Sequence, residues 1–273
     1  MHQEHLPTHK NPSSVNAILS YIEITPDTRN SCNISVQGFS PRRGFLLRTY
    51  VAQQATVLLI DIKNFTAQCA AMPAGRVGEW VAAFYKRVDA AAAAHGVIKA
   101  EVRGDCCVCV AGVEFAVPWR RQRVSAAAAD KRADQATRML AFAADLHRDL
   151  ATLHSGGGTA TEVRMGMATG QLTFLAGERG SGGSGFMSVQ GAAACAAARM
   201  EALAGPGAVY VHRSTADKWA AEGHRAPPAT VRVDCQGWGA ERAAVYDCAG
   251  RGFAGGEGAA PAKRLRRASS AQF

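Results

Sequence analysis

One stretch restricts the architecture more than any other: Val57-Leu58-Leu59-Ile60-Asp61-Ile62. A nearly unbroken apolar run of this length is the pattern of a strand covered on both faces. It ends around an aspartate, and an unpartnered carboxylate in an apolar setting is costly. A second aspartate has a similar setting. Lys99-Ala100-Glu101-Val102-Arg103-Gly104-Asp105 reads as a strand running into a turn, with Cys106 to Val110 as the return strand of a hairpin. Two carboxylates on neighbouring strands can share a pair of hard divalent cations, the usual device for moving phosphoryl groups. The pair therefore points to chemistry on a nucleoside triphosphate.

The rest of the chain supplies the frame. Residues 1–52 are polar, with Pro7, Pro12, Pro26 and Pro41, and read as a mostly irregular N-terminal extension with at most a short ordered segment over 15–24. Val77, Trp80, Val81, Phe84, Tyr85 and Val88 fall on one helical stripe, and Gly96 stops that helix. Residues 118–133 read as an insertion or loop. Met139, Phe142, Ala143, Leu146, Leu150 and Leu153 mark a second helix, ended by Gly156-Gly157-Gly158. Val163, Met165 and Met167 alternate as a strand, and Gly170 opens a turn into another with Leu172, Phe174 and Ala176 on one face. Gly177 to Gly185 is rich in Gly and Ser and reads as flexible. An alanine-rich helix over 191–204 carries Arg199. Val209 to Val211 is a strand, Ser214 caps a short helix, and Val231 to Val233 with Val245-Tyr246 forms a last hairpin. The expected division is an extension over 1–52, a catalytic domain over 53–250 and a basic flexible tail over 251–273.

At 273 residues the chain suits one domain with tails. Its formal charge of +9 gathers partly in Arg120-Arg121-Gln122-Arg123 and Lys263-Arg264-Leu265-Arg266-Arg267. Without interleaved aromatics these runs make no nucleic-acid face, while a basic surface attracts anionic nucleotides. Eight cysteines in no even framework, and no signal peptide, indicate reduced thiols in a cytoplasmic protein. Cys106, Cys107 and Cys109 sit within one strand, without the turn and further ligands that a metal site needs. No apolar run approaches the ~20 residues of a membrane span.

Ile60-Asp61-Ile62, Phe65-Thr66, Gly104-Asp105 and Arg199-Met200-Glu201, in that order, resemble the class III nucleotide cyclase catalytic domain from about Thr56 to about Cys248. The resemblance implies an α+β fold with a ferredoxin-like βαββαβ core, helices packed on one sheet, and active sites at a dimer interface. It implies that Asp61, Asp105 and the Ile62 carbonyl hold two Mg2+ or Mn2+ ions. The turn Asn64-Phe65-Thr66 would cradle the β- and γ-phosphates, with Asn64 where the family has Gly; Asn tolerates the left-handed backbone such a turn requires. Lys63 beside it reads as a solvated lysine. Glu101 matches the purine-reading position and Ser188 its companion. A carboxylate there accepts from guanine N1–H and N2–H, so the resemblance points to GTP rather than ATP. Arg199 matches the arginine that stabilises transition-state charge.

Two positions depart from the family. Cys195 stands where an Asn orients the ribose, and Cys is a weak hydrogen-bonder. No lysine for the triphosphate occurs in Cys235-Gln236-Gly237-Trp238-Gly239-Ala240-Glu241-Arg242, where Trp238 marks the gap and Arg242 is the available cation. The metal-holding half is kept and much of the opposite half is lost. This favours a guanylate cyclase acting as the metal-donating subunit beside a second cyclase domain, in a homodimer or more readily a heterodimer. A catalytically weak pseudo-cyclase acting as a dimerising or scaffolding subunit is the alternative. An adenylate cyclase is a third reading, which Glu101 opposes.

Overall fold

The computed structural model describes residues 22–26, 32–36, 38–40, 45–113, 134–179, 186–228, 231–235 and 239–254. In chain order, β1 (Ile22–Pro26) and β2 (Cys32–Val36) pair as a separate ribbon, and β3 (Gly38–Ser40) pairs with the start of β4 (Phe45–Ile62). The chain continues through α1 (Phe65–Ala70) and α2 (Ala74–His95) into the hairpin β5 (Ile98–Arg103) and β6 (Cys106–Ala111). Then come α3 (Gln135–Leu150) and β7 (Val163–Arg179). β6 and β7 flank β4 on either side, giving the order β7-β4-β6-β5. With α2 and α3 as the two crossovers, this is the ferredoxin-like βαββαβ core of an α+β domain.

The remaining elements widen the sheet beyond β7. They are β8 (Phe186–Gln190), α4 (Ala192–Leu203), β9 (Ala208–His212), α5 (Arg213–Ala221), β10 (Val231–Cys235), β11 (Gly239–Asp247) and β12 (Gly252–Phe253). β9 runs parallel to β7, and β10 and β11 form the expected final hairpin.

β4 is covered on both faces, as its composition requires. Leu58, Ile60 and Ile62 pack against Trp80, Phe84 and Val88 of α2 and Met139, Phe142 and Leu146 of α3. Val57 and Leu59 pack against Ala193, Ala196 and Ala197 of α4. Each fully buried large side chain contributes about 1.5–3 kcal/mol. The alternation along β4 assigns Asp61 to the α4 face. α2 ends at Gly96, whose φ of 60° and backbone N–H to the Ala92 and Ala93 carbonyls close the helix.

Four local expectations are corrected. Gly170 makes no turn: β7 runs straight through it, paired with Ala55 next to a register shift between Ala52 and Ala55, so a bulge absorbs the irregularity. α3 ends at Leu150, ahead of the three glycines, which lie in the following loop. α5 is capped by His212, whose Nδ1 accepts from the Ser214 backbone N–H at 3.2 Å; Ser214 is not the cap. β1, β2, β3 and the first part of β4 lie within the segment expected to be mostly irregular, and β4 crosses the expected boundary at 53. The basic run at 120–123, the 118–133 insertion and the 263–267 run lie outside the described residues. Among the described residues, no helix is long and apolar enough to cross a membrane.

Candidate active site

β4 pairs with β6 so that Ile60 stands opposite Cys107, which brings the end of β4 beside the β5–β6 turn. That turn uses Gly104 at φ 62°, a left-handed conformation suited to glycine. Asp61 and Asp105 consequently lie at neighbouring strand ends, near enough for the charge of one to act on the other. Burial first, and the charge of Asp61 second, push the Asp105 carboxyl up to about 6. Two hard carboxylates that repel each other in a half-buried cleft are a fitting donor set for divalent cations, with the rest of the coordination left to phosphate and water. The Ile62 side chain is buried, next along the same strand end.

A guanidinium completes this cluster. Arg164 on β7 is the register partner of Asp61 and donates to it from Nη2. Its Nε lies 3.0 Å from Glu201 Oε1 at the end of α4. Burial pushes Glu201 up to about 7, against the pull of Arg164. α4 can approach so closely because residue 166 is glycine: a Cβ there would lie 2.0 Å from the Glu201 nitrogen. The role of Arg164 was missed in the sequence. A charged residue out of phase with Val163, Met165 and Met167 reads as solvent-facing, and only the β4–β7 register shows that it faces Asp61.

Immediately after β4, Asn64 adopts φ 57°, ψ 28°, so the left-handed turn is formed with Asn in place of Gly. Phe65 anchors it by stacking on Trp80 at 5.7 Å, and Trp80 Nε1 donates to Thr161 Oγ1 at 2.8 Å. Asn64 and Thr66 are exposed. Lys63 is an ion-pair partner rather than a solvated lysine, with Nζ 2.7 Å from Glu162 Oε2. Tyr85 of α2 donates its hydroxyl to the Gly104 carbonyl at the second turn.

Glu101 and Ser188, far apart in sequence, are brought together where β5 meets β8: Ser188 Oγ lies 3.4 Å from Glu101 Oε1, and the Val189 N–H donates to Glu101 Oε2 at 2.7 Å. Arg199 is half-buried on α4, and Cys195 is exposed one turn earlier on the same helix. Trp238 lies outside the described residues, and Arg242 is exposed on β11.

The sequence family described as the adenylate and guanylate cyclase catalytic domain matches residues 47–235. The chain belongs to that family. Among solved structures, this cyclase domain is similar to the catalytic core of a rhodopsin-guanylyl cyclase with converted specificity, determined with ATPαS. The two share 22% identity over 71% of this chain and 95% of that one, with a TM-score of 0.58. The guanylate cyclase domain of RhGC from Catenaria anguillulae, determined with GTP, shares 22% identity over the same 71% and 95%, at TM-score 0.55. The adenylyl cyclase CyaB from P. aeruginosa shares 18% identity over 73% and 96%, at 0.54. These likenesses establish the fold. No curated protein matches the chain.

Proposed function

We propose that this nucleotide cyclase domain converts GTP to cyclic GMP and pyrophosphate. The observation that carries the reading is the meeting of Asp61 and Asp105 at adjacent strand ends, with Asp105 pushed up to about 6 by burial and by its neighbour's charge. Asp61, Asp105 and the Ile62 carbonyl would hold two Mg2+ or Mn2+ ions, which when bound supply charge neutralisation and lower the pKa of a coordinated hydroxyl. The backbone of Asn64, Phe65 and Thr66 binds the β- and γ-phosphates. By holding those cations, Asp61 and Asp105 would orient the α-phosphate for in-line attack by the ribose 3′-oxygen. The bond from the α-phosphorus to the bridging oxygen breaks, the 3′-hydroxyl proton passes to solvent, and pyrophosphate leaves. Arg199 stabilises the charge that builds on the transferring phosphate. In a homodimer the Glu101–Ser188 patch reads the purine; in a heterodimer where this chain donates the metal ligands, the patch belongs to the second, non-catalytic site.

The domain works beside a second cyclase domain, because Cys195 and the missing lysine leave this chain's half of the opposite subsite weak; losing oriented contacts costs orders of magnitude in rate. A heterodimer in which this chain donates the metal ligands suits these residues better than a homodimer. We place the protein in the cytoplasm. The pseudo-cyclase reading is favoured by Cys195, by the missing lysine and by Arg164, which already supplies Asp61 with a positive charge.

The test is cyclic-product formation from Mn-GTP and Mn-ATP by the purified chain, alone and with candidate partner domains. Cyclic GMP that disappears in Asp61→Ala and Asp105→Ala is the expected result. Cyclic AMP alone overturns the choice of substrate. No product with any partner, alongside tight dimerisation, favours the scaffold.

A further inference from the structure

The acceptor capacity of Glu101 is already used from within the chain. Oε1 accepts from Arg103 Nε at 2.6 Å and from the Ser188 hydroxyl at 3.4 Å. Oε2 accepts from Arg103 Nη2 at 2.9 Å and from the Val189 N–H at 2.7 Å. A carboxylate has about four lone-pair positions, and these four donors account for them. A guanine presenting N1–H and N2–H would have to displace a bidentate guanidinium, among the stronger pairings a carboxylate makes.

Exposure points the same way. The Glu101 side chain is 13% exposed and that of Arg103 is 46% exposed. The patch therefore presents donors outward, not a carboxylate. The guanidinium is held at Nε and at Nη2, whose other N–H reaches the Val189 carbonyl at 3.2 Å. Nη1 has no hydrogen-bond partner among the described residues. Arg103 immediately precedes the Gly104–Asp105 turn, so its position is tied to the metal-binding end of the sheet.

We propose that Arg103 is the purine-reading residue of this domain, with Glu101 as the anion that positions it. This rests on the nucleotide reading above in its homodimeric form, and deepens it. The ligand class is the 6-oxopurine nucleotides, recognised through the acceptor edge O6 and N7 that a guanidinium fits. Adenine presents its amino donor at that edge and is disfavoured. The 2-amino group of guanine makes no contact, so inosine nucleotides bind as guanosine nucleotides do. A carboxylate reader behaves in the opposite way, since hypoxanthine lacks the second donor.

The experiment measures equilibrium binding to the full chain in Mn2+, with 3′-deoxy triphosphates of guanosine, inosine, 7-deazaguanosine and adenosine, which cannot cyclise, and with inorganic tripolyphosphate. Inosine and guanosine forms should bind within about twofold of each other. The 7-deaza and adenosine forms should bind about tenfold or more weaker, the discrimination expected of a cationic donor, here Nη1, set against the O6 and N7 edge. Arg103→Met should erase those differences while tripolyphosphate binding stays unchanged, which also shows that the variant is folded. Glu101→Gln, which retains an acceptor for Arg103, should keep inosine and guanosine forms equal. A tenfold loss for inosine, or an unchanged preference in Arg103→Met, overturns the proposal. Equal binding of all four nucleotides overturns it and leaves the phosphate and metal reading intact. Failure of tripolyphosphate and every nucleotide to bind brings down both.

Discussion

Tyr85 on α2 donates its hydroxyl to the carbonyl of Gly104, tying a helix of the main core to the turn that carries Asp105. The ring is held in turn by Lys99, whose Nζ lies 5.2 Å from the ring centroid and pairs with Asp89 Oδ1 at 2.7 Å. Tyr85→Phe keeps the ring and removes one hydrogen bond of about 1 kcal/mol. We expect a loss of about three- to tenfold in kcat/KM and a higher Mn2+ requirement, with a Tm within a few degrees of the parent. Steady-state kinetics over a Mn2+ titration, read beside a thermal melt, check this.

Gly166 gives a prediction about stability. A methyl group there meets the Glu201 nitrogen at 2.0 Å and the Ala197 oxygen at 2.2 Å, both backbone atoms that cannot rotate away. Gly166→Ala must lift α4 from β7, and we expect about 3 kcal/mol or more of destabilisation, at or above the usual cost of overpacking. Urea denaturation measures it; a cost under 1 kcal/mol contradicts the close packing of α4 on β7.

The pH dependence of the metal-free protein follows from Asp105 at about 6 and Glu201 at about 7, both raised chiefly by burial. A carboxyl whose folded pKa lies above its unfolded value binds its proton more tightly in the folded state. The stability it contributes is complete below about pH 4 and is lost as pH rises through 6 to 7. These two groups therefore lower stability between pH 5 and pH 8. Divalent cation reverses the trend at pH 8, where Asp105 is ionised, and adds little at pH 5, where a proton competes for it. Calorimetric melts at both pH values, in EDTA and in Mn2+, test this; an equal metal-induced rise in Tm at both pH values contradicts it.

Glu222 caps a helix distant in sequence. With 1% of its side chain exposed, it accepts from the Ala136 N–H at 3.0 Å, the Thr137 N–H at 2.9 Å and the Thr137 hydroxyl at 2.7 Å, closing the N-terminus of α3. Glu222→Ala leaves buried donors unsatisfied, and we expect about 2 kcal/mol of destabilisation. The ratio of GTP to ATP turnover should not change. Chemical denaturation and paired activity assays separate the two effects.

Much of the frame was legible in the sequence because its signals are local. The run from Val57 to Ile62 states its own double coverage, Gly96 its own stop, and Asn64 its tolerance for a left-handed turn. What escaped depends on pairing. Gly170 looks like a turn until β4 is seen to pair through it at Ala55. Arg164 looks solvated until Asp61 is placed opposite, 103 residues away. Glu101 reads as an open acceptor until Arg103, two residues on, is seen to fold back onto it. Ser214 lost the cap to His212 because an imidazole nitrogen at the strand end reaches the same N–H.

The chain Asp61–Arg164–Glu201 draws one residue from each of β4, β7 and α4. No contiguous fragment of modest length holds it. A polypeptide divided between Ala111 and Gln135 would carry Asp61 and Asp105 on one piece and Arg164, Arg199 and Glu201 on the other, each inert by itself. Assembly of the centre must therefore await the long-range zipping of β4 with β7, a slow class of contact, which makes catalytic output a readout of completed folding.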